Sequence, residues 1–468
     1  MAGYYRSVGT FYVENFGCRA TQADGAAIER QFRDRGLAPA ESASEADLVV
    51  LNTCTVTAAA DQDARAAIRR IHRQNPDCRI VVTGCYAQRA PHEIAALAGV
   101  TQVIGNSHKH QLADIATQGS FIPLSQLASG SVHVSDIFAH TELLAAPVFD
   151  ASHQRTRPNL KVQDGCDNRC SFCVIPYVRG QSRSLPLERI LGEVQNLIAA
   201  GYREVVISGI NLGRWGRDLH KPMWGGRSCP PGSESPMWGG RPRPPRFEDL
   251  VRAILDRTPL QKLRISSVEP MDWSDALIRL VAESPRIAKH AHVPMQSGSD
   301  RILRGMHRKY RAWHYREKIE KIRRAMPTAA IGADVMVGFP GETDADFAET
   351  HRMIEDLPFT YLHVFTYSSR PGTPAAAMAN QVPLPVSRER NRILRDLASE
   401  KKRGFMQSFV GQTIDAITLD HFDGTHTEAL TDNYLKLRLE ARHEPNRWLP
   451  AAIEGFEGDT LLGTAQPC

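Results

Sequence analysis

Three closely spaced cysteines constrain this chain more than any other feature. They lie in the run Cys166-Asp-Asn-Arg-Cys170-Ser-Phe-Cys173, directly after a strand-like segment at residues 159–163. Thiolates at this spacing can hold three irons of a 4Fe–4S cluster, and no fourth cysteine stands nearby to ligate the last iron. An iron left open in this way can bind S-adenosylmethionine and pass it one electron. We therefore predict a cluster of this type at the three cysteines.

A zinc site or a redox Cys-x-x-C pair is the simpler alternative. Structural zinc sites are closed by four ligands. From Cys173 to Leu219 the chain offers neither a histidine nor another cysteine. Zinc is therefore the less favoured interpretation, and it stays open at this point.

The first third of the chain alternates strand and helix patterns. Residues 11–17, 47–52 and 79–84 have the apolar runs of short buried strands, and residues 21–32 and 58–74 have helical periodicity. This order predicts an α/β, flavodoxin-like domain with a parallel sheet over residues 1–150.

Three more cysteines follow the predicted strands of this domain. Cys18, Cys54 and Cys85 each stand just past a strand's carboxyl end. Parallel strands present these ends at one edge of a sheet, so the three thiols are expected to meet there. We predict a second metal cluster, again with three protein ligands. Cys78 and Cys468 have no such partners and are interpreted as incidental.

The middle of the chain, residues 151–403, continues the alternation. Strands are predicted at residues 159–163, 204–208, 262–266, 291–295, 333–338 and 361–366, with helices such as 187–199 and 315–325. Six such units indicate a partial (β/α)6 barrel, whose ligands bind in the loops after the strands. The candidate cofactor-binding residues in those loops are Ser208, Gly209, Asn211, Glu269, Gln296, Gly338 and Gly341.

A segment at residues 216–246 interrupts this pattern. It is crowded with Pro, Gly and Arg and repeats PMWGGR at residues 222–227 and 236–241. Such a composition predicts an exposed, flexible insertion, in which Cys229 is a poor ligand candidate.

The tail, residues 404–468, contains short strand-like runs at 412–419, 434–439, 451–456 and 460–464. They predict a small all-β barrel, a type that often binds oligonucleotides. Two basic stretches, 301–324 and 388–403, contain ten and seven Lys or Arg against two and three acids. They suit a polyphosphate partner, although either stretch is also compatible with a solvated helix face.

Composition limits the remaining choices. The net charge is +5, the amino terminus lacks a signal-peptide pattern, and no run approaches the ~18 apolar residues of a membrane span. A cytoplasmic protein without a membrane partner is expected. In a reducing compartment, the nine cysteines are expected to be metal ligands or buried thiols.

These motifs together resemble those of radical S-adenosylmethionine methylthiotransferases along nearly the whole chain. Gly-Cys18, Asn-Thr-Cys54 and Gly-Cys85 resemble the family's amino-terminal domain, and the tail resembles the RNA-binding barrel called TRAM. The branch that modifies N6-threonylcarbamoyladenosine is indicated by longer motifs: QDGCDNRCSFCVIPYVRGQSRS (163–184), RISSVEP (264–270), HVPMQSGSDRIL (292–303), DVMVGFPGET (334–343) and TDNYLKL (431–437). The insertion departs from the family pattern.

The resemblance implies a chemistry. The family replaces a C–H bond at carbon 2 of adenine, beside the tRNA anticodon, with a methylthio group. Cys166, Cys170 and Cys173 would hold the cluster that cleaves S-adenosylmethionine. Cys18, Cys54 and Cys85 would hold an auxiliary cluster that carries the sulfur. An external one-electron reductant and a sulfur donor are also implied.

Three alternatives accompany this interpretation. The substrate of a sister enzyme is isopentenyladenosine in tRNA or an aspartate of a ribosomal protein. A protein of another class would bind RNA and use its clusters only structurally. A radical enzyme of another reaction type is the third alternative, and the three strand-end cysteines argue against it.

Overall fold

The computed structural model describes residues 9–117, 130–139, 143, 157–219, 237–238, 241–242 and 244–466. Cys229, Cys468 and the first PMWGGR copy lie outside these residues. The helices are α1 (Arg19–Arg33), α2 (Ala58–Gln74), α3 (Cys85–Arg89), α4 (Pro91–Ala95), α5 (Leu112–Thr117), α6 (Ile175–Arg179), α7 (Leu187–Ala199), α8 (Phe247–Arg257), α9 (Asp275–Glu283), α10 (Asp300–Gly305), α11 (Ala312–Ala325), α12 (Asp344–Asp356) and α13 (Leu384–Gln407). The strands are β1 (Thr10–Asn15), β2 (Ala38–Pro39), β3 (Leu48–Thr53), β4 (Arg79–Gly84), β5 (Val100–Gly105), β6 (Ser131–His133), β7 (Asn159–Asp164), β8 (Arg183–Ser184), β9 (Glu204–Gly209), β10 (Met237–Trp238), β11 (Arg241–Pro242), β12 (Lys262–Ile265), β13 (His290–His292), β14 (Ala330–Val337), β15 (Tyr361–Thr366), β16 (Thr413–Phe422), β17 (His426–Thr431), β18 (Lys436–Glu440), β19 (Trp448–Glu457) and β20 (Thr460–Ala465).

The amino-terminal domain is a parallel six-stranded sheet with the order β2-β1-β3-β4-β5-β6. Successive residues of a strand face opposite sides of a sheet. Val49 therefore packs under α2, while Val50 packs under α1 and α5. The flavodoxin-like expectation is confirmed. The sequence analysis missed β5, whose apolar run is broken by Thr101 and Gln102.

The central domain is the expected partial barrel. Strands β12, β9, β7 and β8 form one sheet, and β13, β14 and β15 form another. Isolated bridges from Leu263 to Ile287 and from Ser267 to His292 join the two sheets. Six of these strands run parallel, and only the short β8 is antiparallel to its neighbour. One continuous apolar core fills the space between the strands and the surrounding helices.

Strand β13 is shorter than predicted. It ends at His292, whereas the apolar pattern continued to residue 295. The chain leaves the ladder because Gln296 adopts a φ of 65° and because Met295 and Gln296 both donate to the carbonyl of Asp334. This irregular segment turns Gln296 towards the barrel mouth.

The tail forms a closed barrel with the strand order β16-β17-β18-β20-β19. The sequence analysis missed β17, because its residues His-Thr-Glu-Ala-Leu-Thr show little apolar alternation. The boundary expected after residue 403 falls in the last turns of α13, so this helix leads directly into the barrel.

Two features complete the fold. Within the predicted insertion, β10 and β11 pair as a short antiparallel ladder, and most of its other residues lie outside the described part of the chain. Among the described helices, none combines the length and apolar character needed to cross a lipid bilayer.

Candidate active site

The central triad of cysteines lies on the loop after β7. Neighbouring backbone holds this loop: Cys166 N–H donates to Gly180 O at 3.1 Å, and Cys173 N–H donates to Cys170 O at 3.1 Å. The Ser171 hydroxyl donates to Gly305 O at 2.7 Å, which ties the loop to the end of α10. The three thiols are partly buried, as expected of ligands that must be reached by a cofactor.

Polar side chains approach these sulfurs. The Asn211 amide donates to Cys166 Sγ at 3.6 Å, and Arg308 Nη1 donates to Cys170 Sγ at 3.2 Å. Arg308 also pairs with the carboxylate of Glu269. Burial, followed by the proximity of Cys170, raises the pKa of Cys173 to about 12. The thiol form of Cys173 is therefore favoured, and a metal that binds there must displace its proton.

A cavity of about 540 Å³ opens beside the triad. Five of the predicted cofactor-binding residues line it: Ser208, Gly209, Asn211, Glu269 and Gln296. Several of its buried polar atoms have no hydrogen-bond partner in the described chain, namely Ser208 Oγ, Asn211 Oδ1 and Ser266 Oγ. Buried polar atoms normally find partners. Their presence fits a polar ligand with amino, carboxylate and hydroxyl groups, such as S-adenosylmethionine.

The other two predicted residues lie elsewhere. Gly338 and Gly341 are not among the residues that line the cavity. They form a turn with φ values of 76° and 80°, and Gly338 N–H donates to Glu342 Oε2 at 2.6 Å. Glu342 in turn pairs with Arg390 of α13 at 2.7 Å. Turn geometry accounts for glycine at both positions, and cofactor contact by either residue stays a prediction.

The amino-terminal triad is assembled by the sheet. Cys18 precedes α1, Cys54 follows β3, and Cys85 begins α3 directly after β4. Gly17 has a φ of 101°, and a Cβ there would lie 2.6 Å from Cys54 Cβ, so only glycine lets these two segments approach. Burial first, then the nearby Cys85 and Cys18, raise the pKa of Cys54 to about 12. The structure thus brings together three thiols that are far apart in sequence.

A group of buried charges lies beside this triad. Burial opposes the charge of Arg179, but Asp164, Cys85 and Asp24 raise its pKa well above the usual value. Arg179 pairs with Asp24 and Asp164 at 3.0 Å each. Lys109 pairs with Asp24, and Lys161 pairs with both acids. Burial and the neighbouring thiols raise the pKa of Cys54 more than Arg179 lowers it, so the charge of Arg179 only partly offsets the cost of a thiolate there. Sequence reasoning missed this group.

Both triads fit iron–sulfur ligation, since each offers three thiols. Among the described residues the remaining cysteine, Cys78, is buried with Ile71 and Ile80 in the apolar core of the amino-terminal domain. Cys18 lines the same cavity as Cys166, Cys170 and Cys173. One cavity therefore connects the two cysteine groups.

The cavity is also lined by residues to which the sequence analysis assigned no role. They are Arg19, His290, His292, Asp334, Tyr361, His363 and Tyr434. His292 Nε2 lies 3.3 Å from Asp334 Oδ1, and the rings of His292 and His363 are 5.5 Å apart. Of these, His292, Asp334 and Tyr434 lie in motifs quoted above, and the others gave a signal only through their position beside or within predicted strands.

Comparison with known proteins agrees with this geometry. Residues 10–105 match the Uncharacterized protein family UPF0004, and residues 160–354 match the Radical SAM superfamily. The chain is 35% identical over 433 residues to the threonylcarbamoyladenosine tRNA methylthiotransferase MtaB of Bacillus subtilis, covering 92% of this chain and 90% of that protein. It is 34% identical to the protein of the same name from Aquifex aeolicus, covering 94% and 99% of the two chains.

Two further similarities are informative. The tRNA-2-methylthio-N(6)-dimethylallyladenosine synthase of Novosphingobium aromaticivorans is 33% identical, covering 87% of this chain and 86% of that protein. The solved structure of the radical S-adenosylmethionine methyltransferase TsrM from Kitasatospora setae has a TM-score of 0.57 at 15% identity, covering 79% and 77% of the two chains, which supports the fold alone. The relatives at 33–35% identity over most of their length show that the chain belongs to the family of radical S-adenosylmethionine tRNA methylthiotransferases.

Proposed function

We propose that this protein converts N6-threonylcarbamoyladenosine, beside the anticodon of tRNA, into its 2-methylthio derivative. The observation that carries the proposal is the single cavity that Cys18 of one triad shares with Cys166, Cys170 and Cys173 of the other. A reaction that needs a radical and a sulfur atom at the same carbon requires both centres to face one space. The threonylcarbamoyl substrate is proposed from the similarity to the relatives that bear that name.

Each triad has an assigned role. Cys166, Cys170 and Cys173 would hold the cluster that binds S-adenosylmethionine, and Cys18, Cys54 and Cys85 would hold a second cluster that supplies the sulfur. When bound, these groups supply one-electron cleavage of the sulfonium and sulfur for insertion. The protein's own residues bind and orient S-adenosylmethionine. Asn211, Glu269 and Gln296 offer an amide, a carboxylate and an amide to the amino, carboxylate and ribose groups of S-adenosylmethionine.

Burial also prepares the site for radical chemistry. Arg308 is buried and pairs with Glu269, and burial is the main cause that raises the pKa of this carboxyl above its usual range. Arg308 therefore holds Glu269 in place beside Cys170, and both side chains are largely shielded from solvent. Exclusion of water protects a reactive species from side reactions.

A second cavity supports tRNA binding. It measures about 600 Å³ and lies between β15, α13 and the terminal barrel, sharing Tyr361, His363 and Tyr434 with the first cavity. Its permanently charged lining residues are Arg157, Arg395, Lys402, Lys436 and Arg438 against Glu428 and Asp459. Such an excess of cations suits a phosphate backbone that leads to the active site. A tRNA substrate would also agree with the cytoplasmic location that the sequence predicts.

The two basic stretches contribute differently. In the stretch 388–403, Arg395 and Lys402 line the second cavity. In the stretch 301–324, several cations pair with nearby acids: Arg301 with Asp346, Arg316 with Asp356, and Lys321 with Asp275. Ion pairs also occur in the stretch 388–403, where Lys402 pairs with Asp459. The stretch 388–403 supports the RNA proposal more, because two of its cations line the second cavity and no residue of the stretch 301–324 does.

The test is anaerobic turnover of the reconstituted holoenzyme with dithionite, sulfide, S-adenosylmethionine and tRNA that carries threonylcarbamoyladenosine. Nucleoside mass spectrometry should show the 2-methylthio product, together with 5′-deoxyadenosine. Product on isopentenyladenosine alone would assign the sister reaction. RNA binding without any 5′-deoxyadenosine would make the clusters structural and overturn the proposal.

A further inference from the structure

An arginine and a tyrosine from the two terminal domains meet at the cavity. Arg19 is the first residue of α1, and Tyr434 belongs to the turn between β17 and β18. Arg19 Nη2 donates to the Tyr434 hydroxyl oxygen at 2.9 Å. Both side chains line the 540 Å³ cavity that lies at the barrel mouth. The central domain contributes Cys166, Cys170 and Cys173 to this cavity, and its two neighbouring domains contribute Arg19 and Tyr434.

Arg19 is a permanent cation without a counter-ion. It forms no ion pair with any residue that the structure describes, and its side chain donates a hydrogen bond to Tyr434. The other arginine of the lining, Arg308, is paired with Glu269. The nearby histidines do not add charge: burial, and then Arg264, lower the pKa of His290, and burial, then His292, lower that of His363. Among the described residues on this side of the cavity, Arg19 is thus the positive charge that is available to bind an anion.

Tyr434 is held rigidly in an unfavourable conformation. Its φ is 73°, in the left-handed region that bulky residues rarely adopt. The turn is anchored to the central domain, since Asn433 donates to Thr328 O at 3.0 Å and Asp432 pairs with Lys262 at 3.2 Å. The Tyr434 ring lies 4.8 Å from the ring of His290. Strain of this kind persists where surrounding contacts enforce it, and it clusters at ligand sites.

Together these atoms make an anion-binding pair. Arg19 Nη1 and Nε have no partner in the described chain. The hydrogen bond from Nη2 to Tyr434 orients the guanidinium group. Because the Tyr434 oxygen accepts from Arg19, its own proton is free to be donated. A guanidinium and a hydroxyl in this arrangement match the two oxygens of a carboxylate.

We propose that Arg19, oriented by Tyr434, binds the carboxylate of the threonylcarbamoyl group and is the residue by which this enzyme distinguishes its substrate. This inference rests on the proposed function and extends it. A threonylcarbamoyl group ends in a carboxylate and carries a hydroxyl, whereas an isopentenyl group is a hydrocarbon. A site that offers hydrogen bonds to a polar group rejects the analogue that lacks it, because its own polar atoms are then left unpaired.

The test measures RNA binding as well as turnover. Three versions of one anticodon stem-loop, carrying adenosine, isopentenyladenosine or threonylcarbamoyladenosine, are titrated into anaerobic holoenzyme. The variants are Arg19→Gln, Arg19→Lys and Tyr434→Phe. Arg33→Gln is the matched control, because Arg33 is an exposed arginine of the same helix and its ion pair, at 3.6 Å, is with Glu29. Iron content and thermal unfolding establish that each variant is loaded and folded.

The expected result is selective. Arg19→Gln should weaken binding of the threonylcarbamoyl stem-loop by roughly 10- to 100-fold, the range for a hydrogen bond to a charged group. It should leave the other two RNAs within about twofold, with an unchanged salt dependence. Arg19→Lys should recover part of the loss, Tyr434→Phe should lose less than Arg19→Gln, and Arg33→Gln should behave as wild type.

Two results would overturn the inference while leaving the proposed function intact. Equal weakening of all three RNAs, with a salt slope reduced by about one, would make Arg19 a phosphate contact. Unchanged binding of all three, with normal turnover, would give Arg19 no role in recognition. Failure of the proposed function has a different signature, namely wild-type turnover on isopentenyladenosine RNA and none on threonylcarbamoyladenosine RNA.

Discussion

The two cysteine triads each bring three thiols together, but they are assembled in different ways. Cys166, Cys170 and Cys173 lie within eight consecutive residues of one loop, and local backbone hydrogen bonds hold them. Cys18, Cys54 and Cys85 come from the ends of neighbouring segments in a sheet and meet only when that sheet is formed. The first triad depends on the conformation of one loop, whereas the second depends on the folding of a whole domain.

The surroundings of the triads differ accordingly. Cys54 and Cys85 are buried, whereas all three cysteines of the loop are only partly buried. Beside the amino-terminal triad lies the buried charge group of Asp24, Asp164, Lys109, Lys161 and Arg179. The loop triad instead has Arg308, which is paired with Glu269 and reaches Cys170. We expect the amino-terminal site to depend on domain stability and the loop site on its immediate neighbours.

Replacement of one cysteine in each triad should completely separate radical formation from sulfur insertion. Cys54→Ala should leave 5′-deoxyadenosine formation intact and abolish methylthiolation. Cys173→Ala should abolish both. Iron analysis and product mass spectrometry measure the outcome, and Cys78→Ala is the control, because Cys78 is buried but belongs to neither triad. Sulfur insertion by Cys54→Ala would show that the auxiliary site is misassigned.

Removal of one buried acid should affect the amino-terminal triad more than the loop triad. Asp24→Asn leaves Lys109, Lys161 and Arg179 with one carboxylate, so the free energy of unfolding should fall by about 3–5 kcal/mol. Asp34→Asn, at the exposed end of α1, is the control. Denaturant unfolding with iron analysis tests this. Equal loss of iron from both sites would contradict the proposed difference.

The two asparagines that contact the triads form a matched pair. Asn106 donates to Cys85 Sγ at 3.6 Å, and Asn211 donates to Cys166 Sγ at the same distance. Loss of a group that supports a metal ligand typically costs ~10–100-fold in metal affinity or activity. Asn106→Ala should therefore impair sulfur insertion, and Asn211→Ala should impair 5′-deoxyadenosine formation. If the two variants lose the same activity, the triads are not functionally separate.

The smallest expected effect concerns pH. The nearby Lys109, Lys161 and Arg179 outweigh burial and hold the pKa of Asp24 below its usual value. A carboxyl with a lowered folded pKa contributes stability above its unfolded pKa of about 4, and this stability is lost as the pH falls. The difference in melting temperature between wild-type and Asp24→Asn apoprotein should therefore shrink as the pH falls below about 4. A constant difference would mean that Asp24 acts by packing alone.

The sequence predicted both cysteine groups, because the chemistry of each lies in residue type and in position relative to apolar strands. It predicted the six-stranded partial barrel for the same reason, since buried parallel strands leave apolar runs that repeat along the chain. It failed at β5 and β17, where polar residues interrupt the pattern. The structure places Gly338 and Gly341 in a turn against α13, and their contact with the cofactor stays a prediction.

The sequence by itself therefore determined the two triads, the domain order and the family, because these depend on local patterns. Only the tertiary structure decided that Arg19 meets Tyr434, 415 positions away, and that Arg179 joins Asp24 across a domain boundary. Such contacts leave no periodic signal in the sequence, because each depends on how the domains pack against one another. The single cavity that connects the triads is decided in the same way, by packing between domains rather than by any one segment.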